Sequence, residues 1–199
     1  MVELRPYRPA DLAALYDICL RTAESGDDAT ALYNDPKAIG HIYAGPYAAL
    51  QPEQVIVVED DAGLAGYIVG TFDTDAFAAK KERDWWPALR DQYAHIDATN
   101  YTERDLARIA AMRVPEHSPP DIVAAYPAHI HMNLLPRLRG QRLGTALLTR
   151  WIEAARDAGV TGIHLGANAA NTGGIAFWQR SGFAPLGIIG RAAWFGMAL

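Results

Sequence analysis

Residues 128–158 constrain the fold more than any other part of the chain. Ala128-His129-Ile130-His131-Met132-Asn133-Leu134-Leu135 reads as a strand that stops at Pro136. A loop rich in Gly and Arg, Arg137 to Leu143, then opens a helix from Gly144 to Ala158, with Gly159 as its C-terminal signal. A strand, a small-residue loop and a helix N-terminus in that order aim unpaired amides and the positive helix end at one point, which suits a pyrophosphate. The loop is neither a Walker A sequence, having no Gly-Lys-Ser/Thr, nor a dinucleotide fingerprint. A plain strand-to-helix turn fits the same letters. The stretch from Ile122 to Ile152 contains no Asp or Glu, although the chain carries 23, and it holds Arg137, Arg139, Arg142 and Arg150. A local anion site and a buried strand and helix that exclude carboxylates both account for that pattern.

The rest of the chain supplies neighbours for this strand. Val2 to Arg5 alternates as a half-buried strand ended by Pro6 and Pro9, and Asp11 to Leu20 carries apolar residues at helical spacing. Residues 24–54 read as loop and short helix. Val55 to Asp60, the turn Asp61-Ala62-Gly63, and Leu64 to Phe72 make the clearest hairpin. Residues 73–127 are a polar interlude, helical from Ala76 to Arg90 and from Thr102 to Arg113, which Pro115, Pro119 and Pro120 close. The strands on either side need each other for a sheet, so this segment reads as a helical insertion within one domain spanning residues 1–199. Thr161 to Leu165 is the next strand, and Asn171 to Arg180 a short helix with Asn171 as its N-cap. A final hairpin runs through Phe183 to Ile189 and Arg191 to Leu199. The order predicts a mixed α/β sheet flanked by helices.

Composition narrows the class of partner. A net charge of −5 and a pI near 5.6 leave no chain-wide nucleic-acid footprint. No run approaches the roughly 20 apolar residues of a membrane span. Met1-Val2-Glu3-Leu4-Arg5 has an acid where a signal peptide would be basic. The lone Cys19 offers neither a disulfide framework nor a thiolate cluster for zinc, so no metal is expected. A reducing, cytoplasmic setting is the expectation.

The segment from Leu134 to Leu148 resembles motif A of the GNAT acyltransferases, Arg/Gln-x-x-Gly-x-Gly/Ala after a strand ending near Pro. Pro136 and Ala146-Leu147-Leu148 place Arg139 first and Gly144 at the second glycine, with Arg142 in the position of the first glycine. A competing register, Gln141-x-x-Gly144-x-Ala146, satisfies the letters but misplaces the proline. Asn171-Thr172-Gly173-Gly174-Ile175-Ala176-Phe177-Trp178-Gln179-Arg180-Ser181-Gly182-Phe183 resembles motif B, Asn-x-x-Ala-x-x-Phe-Tyr-x-x-x-Gly-Phe. Leu4-Arg5-Pro6 followed by Asp11-Leu12 is similar to the family's N-terminus. Tyr126 to Pro136 further resembles bacterial acetyltransferases similar to the C-terminal acetyltransferase-like domain of O-GlcNAcases, a group in which Asp is more usual at the Asn133 position.

The resemblance implies a mostly antiparallel sheet with a central, splayed parallel pair of strands, and acetyl-CoA as cosubstrate. Pantetheine would lie along Met132, Asn133, Leu134 and Leu135, with an amide near Leu134 receiving the thioester oxygen. Arg139, Gly140, Gln141, Arg142, Leu143, Gly144 and Thr145 would hold the pyrophosphate. Asn171, with Gly174, Phe177 and Trp178 of motif B, would complete the cofactor site. Trp178 replaces the Tyr that often serves as acid in the family, and an indole cannot deliver a proton near neutral pH. Acetylation of an amine needs a base, and His129 and His131 project to one face of their strand, with Asn133 continuing the row. Packed, structural imidazoles fit the same positions. Asp27 and Asp28 lie in the loop that lines the acceptor side in this family, so they are candidates for binding a cationic substrate. The implied function is acetyl transfer to a primary amine, a small molecule or a lysine, by direct attack in a ternary complex. A fold that holds acetyl-CoA or a peptide without turnover is the alternative. Family members often dimerise.

Overall fold

The computed structural model describes residues 2–199, with Met1 outside it. In chain order the strands are β1 Glu3–Pro6, β2 Ile56–Asp60, β3 Gly63–Thr71, β4 Ala128–Leu134, β5 Gly162–Asn168, β6 Ala184–Ile189 and β7 Ala192–Ala198. They form one sheet in the order β1-β2-β3-β4-β5-β7-β6. Every neighbouring pair is antiparallel except β4 and β5, which are parallel.

The β2–β3 hairpin forms where the apolar runs predict it. Asp60 Oδ1 accepts the Ala62 N–H at 2.9 Å, and Gly63 takes φ +98°, a value that strains any residue with a Cβ. β3 is buried from Ala65 through Thr71, so both faces of the sheet are covered at its centre. One cover is helix α1, Leu12–Leu20, which buries Leu15, Ile18 and Cys19. The opposite cover is helix α8, Leu143–Asp157, whose Leu147, Leu148, Trp151 and Ala155 form one buried stripe. The Trp151 Nε1–H donates to the Gln54 carbonyl at 3.1 Å, which satisfies the polar end of a fully buried indole.

Between α1 and β2 in the chain lie α2, Gly40–Tyr43, and α3, Gly45–Leu50, which pack beside α1. Four helices connect β3 to β4: α4 Thr74–Asp84, α5 Trp86–Gln92, α6 Glu103–Arg113 and α7 Pro120–Ala125. The single helix expected from Ala76 to Arg90 is therefore two. Pro87 sits in the first turn of α5, where its missing N–H costs nothing but where it cannot continue α4. Pro120, expected only to close this segment, instead starts α7 for the same reason. β5 runs past Leu165 to Asn168 because β7 pairs with it as far as Asn168↔Ala192.

Ala38, Trp86, Leu89, Tyr93, Ile109 and Met112 form a second, smaller core. Asp105 ties it to the rest. Its buried carboxylate accepts the N–H of Thr102, whose hydroxyl caps α6 by accepting the Asp105 N–H, and also the N–H groups of Asn34 (2.9 Å) and Asp35 (3.2 Å). Helix α9, Thr172–Arg180, follows β5. Among the described residues, no helix is long and apolar enough to cross a membrane.

Candidate active site

β4 and β5 pair only at Ala128↔Ile163 and His129↔His164, then diverge. Each strand leaves the pair still bound to its outer neighbour, β4 to β3 as far as Leu134 and β5 to β7 as far as Asn168. The Leu135 N–H donates to the Ala65 carbonyl at 2.8 Å. By strand alternation the main-chain groups of Asn133 and His131 face β3 too, and those of Met132 and Leu134 face the gap. The gap is thus walled on one side by unpaired backbone polar groups. A cavity of about 270 Å3 occupies it, lined in part by His131, Met132, Asn133, Asn168 and Asn171.

Helix α8 starts at the end of this gap. Its N-cap side chain makes no capping hydrogen bond, and the first N–H of the helix to find a helical acceptor is that of Ala146, on the Arg142 carbonyl at 3.1 Å. The amides of Leu143, Gly144 and Thr145 are left for an external acceptor. Gly140 and Arg142 both take left-handed backbone, φ +78° and +59°. Arg142 stands where the motif has its first glycine, and the conformation explains why glycine suits that place. A left-handed conformation costs a residue with a Cβ about 1–2 kcal/mol, against about 0.5–1 kcal/mol of extra unfolded-state entropy for glycine. Arg142→Gly is therefore expected to raise stability by up to about 1 kcal/mol, read as a higher urea midpoint at unchanged slope. A lowered midpoint would contradict this account of the loop.

Other loop side chains are engaged locally. Gln141 donates to the Arg137 carbonyl at 2.9 Å, and Arg139 Nη2 to the Gly26 carbonyl at 2.7 Å, 3.7 Å from Asp27 Oδ1. Gly144 is buried against the tips of Leu134, Phe177 and Met132. Asn171 caps α9, its Oδ1 accepting the Gly174 N–H at 2.9 Å, and Gly174 leaves the room that this close approach requires. Trp178 is buried edge-on to Phe177 and Phe183 and also borders the cavity. Leu135, expected along the cofactor arm, gives its N–H to β3 and is buried, so it offers the gap no polar group.

The two histidines of β4 differ sharply. The Thr74 hydroxyl lies 2.7 Å from the Pro127 carbonyl and 2.8 Å from His129 Nδ1. A hydroxyl has one proton, so Thr74 donates to Pro127 and His129 Nδ1–H donates to Thr74. His129 Nε2 then accepts the Tyr47 hydroxyl at 2.7 Å. No lone pair of His129 is left for a substrate, and burial with neighbouring His131 holds its pKa well below the usual value. His131 borders the cavity, with Tyr43 and Tyr47 edge-on at 5.4 and 5.6 Å between ring centroids. Burial, followed by the charge of Lys81, pushes its pKa down to about 4. Asn133 donates from Nδ2 to Thr22 Oγ1 at 2.6 Å, which fixes its amide on the same wall.

Asp27 and Asp28 do not line the cavity. Both are exposed, and Asp28 accepts the Thr30 N–H and hydroxyl at 2.9 and 2.6 Å, the local turn chemistry of an Asx residue. Thr22, Cys19 and Arg108 are among the cavity residues that lay outside the sequence expectations for the site. His164 is also buried beside His129, with its ring nitrogens on the Tyr126 carbonyl and the Ser118 hydroxyl. A larger open hollow of about 520 Å3 lies beyond Ser118, lined by Asp75, His117 and Pro120, away from the gap. Among the described residues no group of three or more His, Cys, Asp or Glu side chains is placed to hold a metal ion.

A model described as the acetyltransferase (GNAT) family matches residues 12–183. Protein O-GlcNAcase of Rattus norvegicus is 25% identical over 162 residues, 80% of this chain. The chain spans 17% of the length of that curated relative. Among solved structures, SsHAT is 36% identical, with 99% of this chain and 98% of that chain covered and a TM-score of 0.85. The structure of yncA from Salmonella typhimurium with its cofactor acetyl-CoA shares the fold at 16% identity, with 100% and 94% covered and a TM-score of 0.56.

Proposed function

The chain belongs to the acetyltransferase (GNAT) family, and on that premise we propose that it transfers acetyl from acetyl-CoA to a primary amine by direct attack in a ternary complex. The observation that carries this is the gap itself, where main-chain groups of Met132 and Leu134 face away from β3, a cavity borders Met132, and Gly144 in the first turn of α8 packs against both side chains. The residues fit the cosubstrate. An unpaired strand edge suits an extended amide-bearing arm, and the free amides of Leu143, Gly144 and Thr145 with the nearby Arg142 suit a pyrophosphate. Bound acetyl-CoA supplies an electrophilic thioester carbon. The Leu134 N–H is the donor for the thioester oxygen, a contribution worth about 3 kcal/mol when preorganised.

His131 is the proton acceptor in this reading. With its pKa near 4 it is neutral throughout the neutral range, so it accepts a hydrogen bond from the attacking amine and relays the proton to water rather than holding it. The amine needs that help, because an amine with pKa near 10 is only about 0.1% neutral at pH 7. His129 positions rather than reacts, by holding the Tyr47 ring that packs on His131. Release of coenzyme A thiol, followed over an amine panel at saturating acetyl-CoA, tests the proposal. His131→Ala should lower the rate at pH 7 by at least about tenfold, and raising the pH should restore part of it. Because the His131 pKa is depressed, the wild-type histidine limb should fall near pH 4, with loss of rate on acidification and none near 6.5. A variant that matches the parent across the pH range would remove His131 from the chemistry. Trp178, standing where an acid is usual, favours a second reading as a fold that binds acetyl-CoA without turnover. Binding with no thiol release for any amine would select it.

A further inference from the structure

The cavity in the β4–β5 gap is lined by one charged side chain, Arg108, and by no Asp or Glu. Arg108 comes from α6, and Asp105, one turn earlier, bolts that helix to the backbone of Asn34 and Asp35. The guanidinium lies over the Tyr43 ring, 5.8 Å from its centroid, and Nη1 donates to the Tyr43 hydroxyl at 3.3 Å. Its Nε is buried with no hydrogen-bond partner, and among the described residues Arg108 makes no ion pair. Glu116 acts on it only at longer range. A half-buried guanidinium left without a carboxylate is costly, and an anionic ligand would offset that cost.

Its position separates it from the phosphate end of the site. Leu134 and Met132 point to the α8 face of β4, where Gly144 meets their tips. His131 and Asn133 point to the other face, toward Tyr43 and Thr22, and Arg108 joins them there through Tyr43. Resting on the acetyl-transfer reading above, the geometry points to an acceptor that carries a carboxylate as well as its amine. Arg108 receives the carboxylate, and the amine reaches the gap beside His131. A planar guanidinium takes a carboxylate through paired N–H donors. The neighbouring cation also favours the neutral, nucleophilic form of the amine, since like charge disfavours an ammonium. This is the opposite of the cationic acceptor that Asp27 and Asp28 led the sequence to suggest.

The test compares amino acids with their amides, using glycine and glycinamide, β-alanine and β-alaninamide, and phenylalanine and phenylalaninamide, with 1,3-diaminopropane as a cationic control. Thiol release at saturating acetyl-CoA should give, in at least one pair, a kcat/KM at least about tenfold higher for the carboxylate, with the diamine poorest. Arg108→Gln should bring that ratio to within about twofold, chiefly through KM, and Arg108→Lys should keep part of it. Equal or better turnover of the amides or the diamine, or an unchanged ratio in Arg108→Gln, would overturn the assignment. A second arm measures calorimetrically the binding of N-acetyl-β-alanine and N-acetylphenylalanine, against their amides, to the coenzyme A-loaded protein. If no amine releases thiol but the carboxylates bind preferentially and Arg108→Gln abolishes the preference, the acceptor assignment stands and the transfer reading falls. No preference in either arm overturns the assignment itself.

Discussion

Arg5→Met should cost the fold about 3–5 kcal/mol, the penalty for removing one partner of a buried ion pair. Arg5 is 5% exposed and gives both terminal nitrogens to Asp11, at 2.7 and 2.9 Å, and Nε to Glu59 at 2.7 Å. It thereby joins β1, the start of α1 and β2. The Met stem fills most of the volume but strands the Asp11 carboxylate, which keeps only the Arg8 N–H. Chemical denaturation should show the loss, and Arg5→Met with Asp11→Leu should recover much of it, because no buried charge then remains. A single variant within about 1 kcal/mol of the parent would show that the network is solvated rather than buried. The Arg5 hydrogen bonds hold the Asp11 pKa below the usual carboxylate range. Its stabilisation is therefore present above that range and is lost as pH falls through the depressed folded value.

The second large effect belongs to Gly144→Asp. A Cβ there would stand 3.1 Å from Leu134 Cδ1, 3.3 Å from Phe177 and 3.4 Å from Met132. Alanine needs a shift of a few tenths of an ångström from flexible side-chain tips, so Gly144→Ala should keep acetyl-CoA affinity within a few fold. Aspartate drives a carboxylate into this apolar wedge beside the amides proposed to hold the pyrophosphate. Two unit charges 4 Å apart at an effective dielectric near 20 repel by about 4 kcal/mol. Affinity measured by calorimetry should fall at least about a hundredfold. Circular dichroism checks that the variant is folded. A folded Asp variant that binds as the parent does would remove α8 from the phosphate site.

What the sequence made legible is local. The β2–β3 hairpin, the β4 strand with its proline stop, the N-terminus of α8 and the Asn171 cap each depend on residues within a few positions of one another. Alternation and helical period report such contacts directly. The mixed α/β class followed from the order of these elements, whereas the antiparallel sheet with its splayed parallel pair came from the resemblance of the two motifs.

The misses are long-range. Arg108 reaches Tyr43 across 65 positions, and Asp105 reaches Asn34 across 71. No local pattern marks either residue, since a polar residue on a helix in a polar segment reads as solvated. His129 and His131 look equivalent in the chain. Only Tyr47 and Thr74, brought in by α3 and α4, close off the first and leave the second facing the cavity. Asp27 and Asp28 were suggestive as a pair, but the Asp28 side chain is bonded within its own turn, the Asp27 side chain faces Arg139, and neither lines the cavity.

The account turns on the β4–β5 gap as the seat of acetyl-CoA, and amide hydrogen exchange at Met132 and Leu134 tests that most directly. Their N–H groups face the gap, whereas that of Leu135 is already bonded to Ala65. Saturating acetyl-CoA should slow exchange at Met132 or Leu134 by at least about tenfold, the protection of one new hydrogen bond of about 1.4 kcal/mol, with little change at Leu135. Exchange at both amides left at the free-protein rate, under conditions where calorimetry shows acetyl-CoA bound, would place the cosubstrate elsewhere and contradict the account.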